Sequence, residues 1–402
     1  MDAQINELPR MTAVLHQQME AGLHIGVQVY VSLESRVLAD FGIGESRPDI
    51  AMTPGTVMLW MSATKPVGAV AIAQLWERGQ LALDDPIALH IPEFTQNGKE
   101  TITIRHVLTH TAGIRWIETG WPNTPWEQII AKICAMRMER DWSPGKKAGY
   151  SVYSTWFLLG ELVRRLDGRN YAQYVREEIF EPLGMNDSWI AMPTDVYRSY
   201  GTRLGIMQKT EGGQVSDLGM DTEAACTNAR PSGSGHGPMR ELGRFYEMLL
   251  NGGTLQPRAK REGEAPAEPD GVARGVLGSA GASPSHTRNA RRIISPQTAE
   301  ALVARHRAGM YDLTFKHIMD WGLGFVLNSN QYGPDTVPYG YGPHASPRTY
   351  GHSGYQSSAA FADPEHGLAV AIVCNGTPGE AAHDQRIRAV LTALYEDVGV
   401  TA

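Results

Sequence analysis

Ser62 and Lys65, in Trp60-Met61-Ser62-Ala63-Thr64-Lys65, open a stretch with helical patterning as far as Arg78, where Gly79 is placed to end the helix. At a helix start that three-residue spacing puts both side chains on one face, so the amine can reach the hydroxyl. A serine hydroxyl is a weak nucleophile until something takes its proton, and a neighbouring lysine can do so. The same pair also reads as an N-cap and a solvated helix residue. Ser143-Pro144-Gly145-Lys146 repeats the spacing, but its Pro-Gly pair makes a turn and holds neither side chain on a helical face.

Two further groups have matching chemistry. Tyr150-Ser151-Val152 follows Pro144-Gly145 and is expected to open a helix over 150–166. A tyrosine accepts a proton only where cations depress its pKa, which Lys65 does if folding brings the two together. A core tyrosine at a helix start is the competing reading. Gly351-His352-Ser353-Gly354-Tyr355 directly precedes an expected strand over 356–364. A glycine-flanked strand edge lets substrate approach the backbone, and the N–H groups of Tyr355 and Ser62 then form a candidate oxyanion hole. Each such donor typically contributes about 10²–10³ in rate. A turn bearing a surface histidine is the alternative.

Other constellations are weaker. His106 and His110 stand at a zinc-compatible i, i+4 spacing, but no Glu follows His106 as in H-E-x-x-H, and no metal or other cofactor is expected. No G-x-S-x-G occurs, so a nucleophile elbow of the α/β-hydrolase kind has no support. The glycine-rich run 232–237 lacks the lysine of a phosphate-binding loop and reads as a loop bordering the cleft. Trp116, Trp121 and Trp126 either wall an apolar substrate pocket or pack in the core.

The elements that must position these residues come from periodicity. A helix is expected over 5–22, then a strand through Ile25, Val27, Val29 and Val31, which pairs with 36–42 after the Glu34-Ser35 turn. The stretch from 85 to 250 patterns mainly as helices, at 126–138, 150–166, 170–181 and 240–250. Strands return at 321–327, 356–364 and 368–375, and a helix closes the chain over 383–397. Strands at both ends with helices between imply an α+β layering with one sheet built from both termini. The whole chain, 1–402, reads as one catalytic domain, with 1–61 and about 293–402 forming the α/β part and about 62–255 the helical part. Residues 256–292 carry seven basic and four acidic side chains among Gly, Ala, Pro and Ser, and are expected to form a disordered insertion.

Composition limits the function. The chain has 402 residues, 42% of them hydrophobic, and a net charge of −7, so it has material for a core and no basic stripe for nucleic acid. Three separated cysteines, Cys134, Cys226 and Cys374, point to buried thiols in a reducing compartment rather than to disulfides. The N-terminus has neither a basic n-region nor an apolar run, and no stretch is long enough to span a bilayer, so a cytoplasmic protein without a membrane partner is expected.

Taken together, S-x-x-K, a Tyr motif and a Gly triad in this order resemble the serine β-lactamase and penicillin-binding protein superfamily. The Tyr150 and His352-Ser353-Gly354 forms are most similar to class C β-lactamases and related serine carboxylesterases, as are HVLTHTAGI (106–114), LLGELVRRLDG (158–168), EPLGM (181–185) and FADPEHGLAVAIVCNG (361–376). The resemblance spans about 10 to 396, apart from the insertion. It implies an antiparallel sheet with an inserted helical subdomain, Ser62 as acylated nucleophile, Lys65 as its proton partner and Tyr150 as general base and acid. It also places His352 where the group usually has lysine. Two departures stand out: Val152 replaces an Asn whose amide holds an acylamino group, and His352 removes a permanent cation. Both suit a small ester better than a β-lactam. The implied function is therefore a carboxylesterase, with β-lactamase or D-amino-acid peptidase as alternatives within hydrolases and a non-catalytic binding scaffold outside them.

Overall fold

The computed structural model describes residues 7–255 and 292–401. Between Gly26 and Leu33 (β1) alternate side chains enter different cores, as the two-residue repeat of a strand requires. Val27, Val29 and Val31 pack with Phe361, Val370 and Ile372, whereas Tyr30 packs with Ala360, Ala371 and Val373. Glu34 and Ser35, at φ 49° and 66°, make the tight turn into β2 (Arg36–Arg47), which pairs antiparallel with β1. β2 then pairs with the short β3 (Ile50–Ala51).

The C-terminal segment supplies β4 (Val326–Leu327), β5 (Tyr350–Ser353), β6 (Ser358–Asp363) and β7 (Leu368–Cys374). β7 lies against β1 from Val27 opposite Cys374 to Leu33 opposite Leu368, which joins the two ends of the chain. The sheet runs β4-β5-β6-β7-β1-β2-β3 with every pairing antiparallel. The longer helices are α1 (Pro9–Glu20), α2 (Lys65–Glu77), α3 (Trp126–Ala135), α4 (Trp156–Asp167), α5 (Met239–Leu250) and α6 (Glu380–Asp397). α1 and α6 cover the valine face through Met11, Leu15, Val390 and Leu394; α5 covers the other through Leu242, Phe245 and Leu249. The architecture is α+β, with the helical stretch inserted between the two sheet-forming segments.

Several boundaries differ from the sequence reading. The strand expected over 321–327 shrinks to Val326–Leu327, because a Gly322 N–H to Phe325 carbonyl bond of 2.9 Å folds the glycines into a turn. The helix expected over 126–138 stops at Ala135, where Met136 turns extended. The one expected over 170–181 continues past Tyr171–Val175 only as a wider π turn, Arg176–Phe180. Gly79, at φ 68°, ends α2 as expected. Of the expected insertion, 256–291 lies outside the described residues, whereas Arg292 is described and bridges to Thr254. All three cysteines are buried and unpaired. Among the described residues no helix is long and apolar enough to cross a membrane.

One contact fixes the depth at which α5 sits on the sheet. A Cβ at Gly243 would lie 2.0 Å from the Tyr30 ring, and Tyr30 is fully buried. Gly243→Ala is therefore expected to lower stability by at least about 1 kcal/mol, because this overlap outweighs the helix propensity that alanine adds. Urea denaturation checks this, and an unchanged midpoint would show that α5 can slide away.

Candidate active site

Ser62 is presented by a constrained turn. Met58–Leu59 pairs antiparallel with His236–Gly237, and the Trp60 N–H donates to the Gly235 carbonyl at 2.8 Å. Met61 then takes φ 53°, a left-handed conformation that costs a non-glycine residue roughly 1–3 kcal/mol and persists only where the surroundings impose it. Ser62 follows in a 3₁₀ turn, Met61–Thr64, that runs straight into α2. The turn's first bond is donated by Ala63 to the Trp60 carbonyl, so the Ser62 N–H precedes the intrahelical ladder.

Lys65 is the first residue of α2 and is fully buried. Its Nζ lies 3.1 Å from Ser62 Oγ, 2.8 Å from the Val152 carbonyl oxygen and 3.1 Å from the Ser232 carbonyl oxygen. Burial, and secondarily the Arg230 guanidinium, hold its pKa well below the ordinary lysine value. In its charged form the amine donates to all three oxygens. In its neutral form it has two N–H bonds and one lone pair; the carbonyls can only accept, so they take both N–H bonds and the lone pair faces the Ser62 hydroxyl.

Tyr150 meets this pair, but from a loop. The helix expected over 150–166 begins only at Trp156. In a longer helix the Val152 carbonyl would accept from residue 156, whereas here it accepts from Lys65. The loop is tied down elsewhere: the Tyr150 N–H donates to Asp312 Oδ1 at 3.1 Å, Thr314 Oγ1 donates to the Tyr150 carbonyl, and the Ser151 N–H donates to His110 Nδ1. The phenol ring lies 4.9 Å from Lys65 Nζ and packs on His110, Phe315 and Trp321. Burial pushes the phenol pKa up, partly offset by its hydrogen bond with Ser62. Asp312 adds to the rise and Arg230 opposes it.

His352 lies on β5, opposite Ala360 of β6, with its ring centroid 5.9 Å from that of Tyr150. Nδ1 is 2.8 Å from the Ser353 carbonyl, which can only accept, so Nδ1 carries the proton and Nε2 is an acceptor without a partner among the described residues. Burial and Lys65 lower its pKa to about 3, so the ring is neutral over the physiological range. Gly354 closes the gap between strand edge and the Ser62 turn: a Cβ there would sit 2.6 Å from the Trp60 carbonyl oxygen and 2.8 Å from Met61 Cβ. Ser353 is buried, its Oγ 3.4 Å from the Tyr339 carbonyl oxygen. Tyr355 is 51% exposed, and its N–H stands between those of Gly354 and Gln356, which bond to Ser358 and Tyr339.

The remaining candidates separate from this centre. Ser143–Lys146 is an exposed turn closed by a 3.0 Å bond from the Lys146 N–H to the Ser143 carbonyl. His106 accepts the Thr103 N–H as part of a helix cap, while His110 lies under Tyr150. Trp121 and Trp126 line a cavity of about 530 Å³ whose walls include none of Ser62, Lys65, Tyr150 and His352, and Trp116 is exposed against Tyr153.

The Beta-lactamase family model matches residues 11–395. The chain belongs to the beta-lactamase family. A penicillin-binding protein homologue from Caulobacter crescentus has a solved structure that superposes with a TM-score of 0.73 at 28% identity, covering 98% of each chain. Esterase/beta-lactamase LipL of Mycobacterium tuberculosis is 26% identical over 78% of this chain and 68% of its own. Penicillin-binding protein PbpX of Bacillus subtilis is 31% identical, over 46% of either chain, so this match spans less than half of that relative's length.

Within this beta-lactamase-family cleft, sequence reasoning missed Arg230 and Asp312. Asp312 is fully buried, pairs with the equally buried Arg307 at 2.9 Å, and accepts the N–H groups of Tyr150, Thr314 and Phe315. Asp312→Ala leaves Arg307 buried without its partner and frees the Tyr150 loop. A stability loss of about 3–5 kcal/mol is expected in chemical denaturation. A loss under 1 kcal/mol would show that the loop is held by other contacts.

Proposed function

We propose that the protein hydrolyses small carboxylic esters through an acyl-enzyme on Ser62. The observation that carries this reading is the arrangement at Lys65: its Nζ lies 3.1 Å from the serine hydroxyl, with two carbonyls placed to take N–H bonds, so the amine in its neutral form turns its lone pair to Ser62. Ser62 Oγ attacks the ester carbonyl carbon as its proton passes to Lys65 Nζ. The oxyanion forms against the N–H groups of Ser62 and Tyr355. The Tyr150 phenol gives its proton to the departing alkoxide, and the new Lys65 ammonium, close to the ring, stabilises the phenolate left behind. Water then attacks the acyl-enzyme and returns a proton to Tyr150, while Lys65 returns its own to Ser62. A positioned acid or base contributes about 10²–10⁴, and the oxyanion donors a comparable factor.

Three features support ester over β-lactam. The Val152 side chain carries no amide, and it contributes its carbonyl to Lys65 instead. His352 is neutral, so the third motif presents no cation. One relative carries the name esterase/beta-lactamase. These features suit a compact ester without an acylamino group.

Ser62→Ala is expected to abolish turnover of a short p-nitrophenyl ester and labelling by an active-site phosphonate. Tyr150→Phe should lower kcat at least 10²-fold with the circular dichroism spectrum unchanged. Greater turnover of a chromogenic cephalosporin or a D-alanyl amide than of the ester would reassign the substrate class. Absence of phosphonate labelling in the wild type would remove the hydrolase reading and leave a binding scaffold. Because the base must be unprotonated, kcat/KM should rise with pH through the lowered Lys65 pKa and level off below the ordinary lysine range. An acid limb at the lysine value of 10.5 would mean that Lys65 stays charged.

A further inference from the structure

Arg230 precedes the glycine-rich loop whose Ser232 carbonyl holds Lys65. Its guanidinium lies 4.1 Å from the centre of the Trp121 ring, in good position for a cation–π contact. One nitrogen, Nη2, donates to the Gly233 carbonyl at 3.2 Å. Nε is shut off from water and has no hydrogen-bond partner among the described residues. No carboxylate there forms an ion pair with Arg230, although most of the other arginines of the described chain find one, Arg115, Arg164, Arg165 and Arg169 among them.

A half-buried guanidinium without an anion is an unusual expenditure of free energy, because charges withdrawn from water are normally paired. The fully buried Arg386 also has no carboxylate among the described residues, but three carbonyls take its N–H groups, whereas one carbonyl serves Arg230. A methyl group on Gly233 would touch both Arg230 Nη2, at 3.3 Å, and the Met61 carbonyl carbon, at 3.5 Å, and that carbonyl belongs to the peptide carrying the Ser62 N–H. The guanidinium also acts electrostatically on Lys65, Tyr150 and Tyr153. It thus lies beside the Met61–Ser62 turn, between that turn and the Trp121 ring.

The geometry points to Arg230 as a substrate-binding residue that receives a carboxylate at the end of the acyl chain, so that the preferred substrates are half-esters of dicarboxylic acids. This rests on the ester-hydrolase reading for the identity of the reacting bond, but the anion site itself does not require turnover. With Nε shut off, the two Nη atoms are the edge of the planar guanidinium that can meet a carboxylate in two-point geometry, which a lysine in its place would not reproduce.

The test measures binding in a protein that cannot turn over. Ser62→Ala protein is titrated calorimetrically with monomethyl adipate and with dimethyl adipate, which differ in one negative charge at the chain end. The monoanion is expected to bind at least tenfold more tightly, and Ser62→Ala/Arg230→Gln should lose that preference while Ser62→Ala/Arg230→Lys keeps only part of it. Equal affinity of the two esters for the Ser62→Ala protein overturns the assignment, whatever the folding of the Arg230 variants. A preference that survives Arg230→Gln also overturns it. A charge preference in a protein whose wild type cleaves neither ester would support the anion site and count against the hydrolase reading alone.

Discussion

The three hydrogen bonds of Lys65 Nζ tie together segments that lie far apart in the chain. Residues 62, 152 and 232 have no local reason to meet, yet one buried nitrogen contacts all three. Burial makes the charged amine unfavourable, and the two carbonyls make the neutral amine directional. The basicity of this amine is therefore set by what surrounds it more than by its own side chain. Taking the Val152 carbonyl for this purpose stops α4 from beginning at Tyr150 and leaves that phenol on a loop free to face the serine.

The sheet supplies the rigidity that this arrangement needs. β7 against β1 locks the two ends of the chain together, and β6 reaches the nucleophile turn directly, since Ser358 Oγ donates to the Trp60 carbonyl at 2.8 Å. With Gly354 allowing the strand edge to approach Met61, the left-handed turn is held from two sides. Asp312 performs the corresponding task for the Tyr150 loop from a third segment. Strain at Met61 and ordering at Tyr150 are thus balanced by packing outside the cleft, as is common for catalytic geometry.

Much of this was legible in the sequence because it is written locally. The valine alternation of β1, the Glu34-Ser35 turn, the S-x-x-K spacing and the glycines of 351–354 each signal their conformation within a few residues. What was hidden depends on contacts between distant residues. Nothing around Tyr150 shows that a lysine 85 positions earlier takes a neighbouring carbonyl, so helical periodicity was extended six residues too far. The apolar run 321–327 reads as a strand until Gly322 and Gly324 are seen to fold it back. Arg230 gave no signal, since one arginine beside a glycine-rich loop is ordinary and only the fold shows that it has no carboxylate partner among the described residues. Asp312 was equally silent: its importance lies in Arg307 and in three N–H groups that its own surroundings do not reveal.

The protonation state of Lys65 is the claim on which the chemistry turns, and it can be observed without substrate. Selective carbon-13 labelling of lysine, with the Lys65 Cε resonance assigned by its loss in Lys65→Gln, gives a titration curve by NMR. The account predicts a midpoint well below the usual 10.5, with the amine neutral in the folded protein at mildly alkaline pH. A Lys65 resonance that stays in its charged position until pH 10 or above would contradict it.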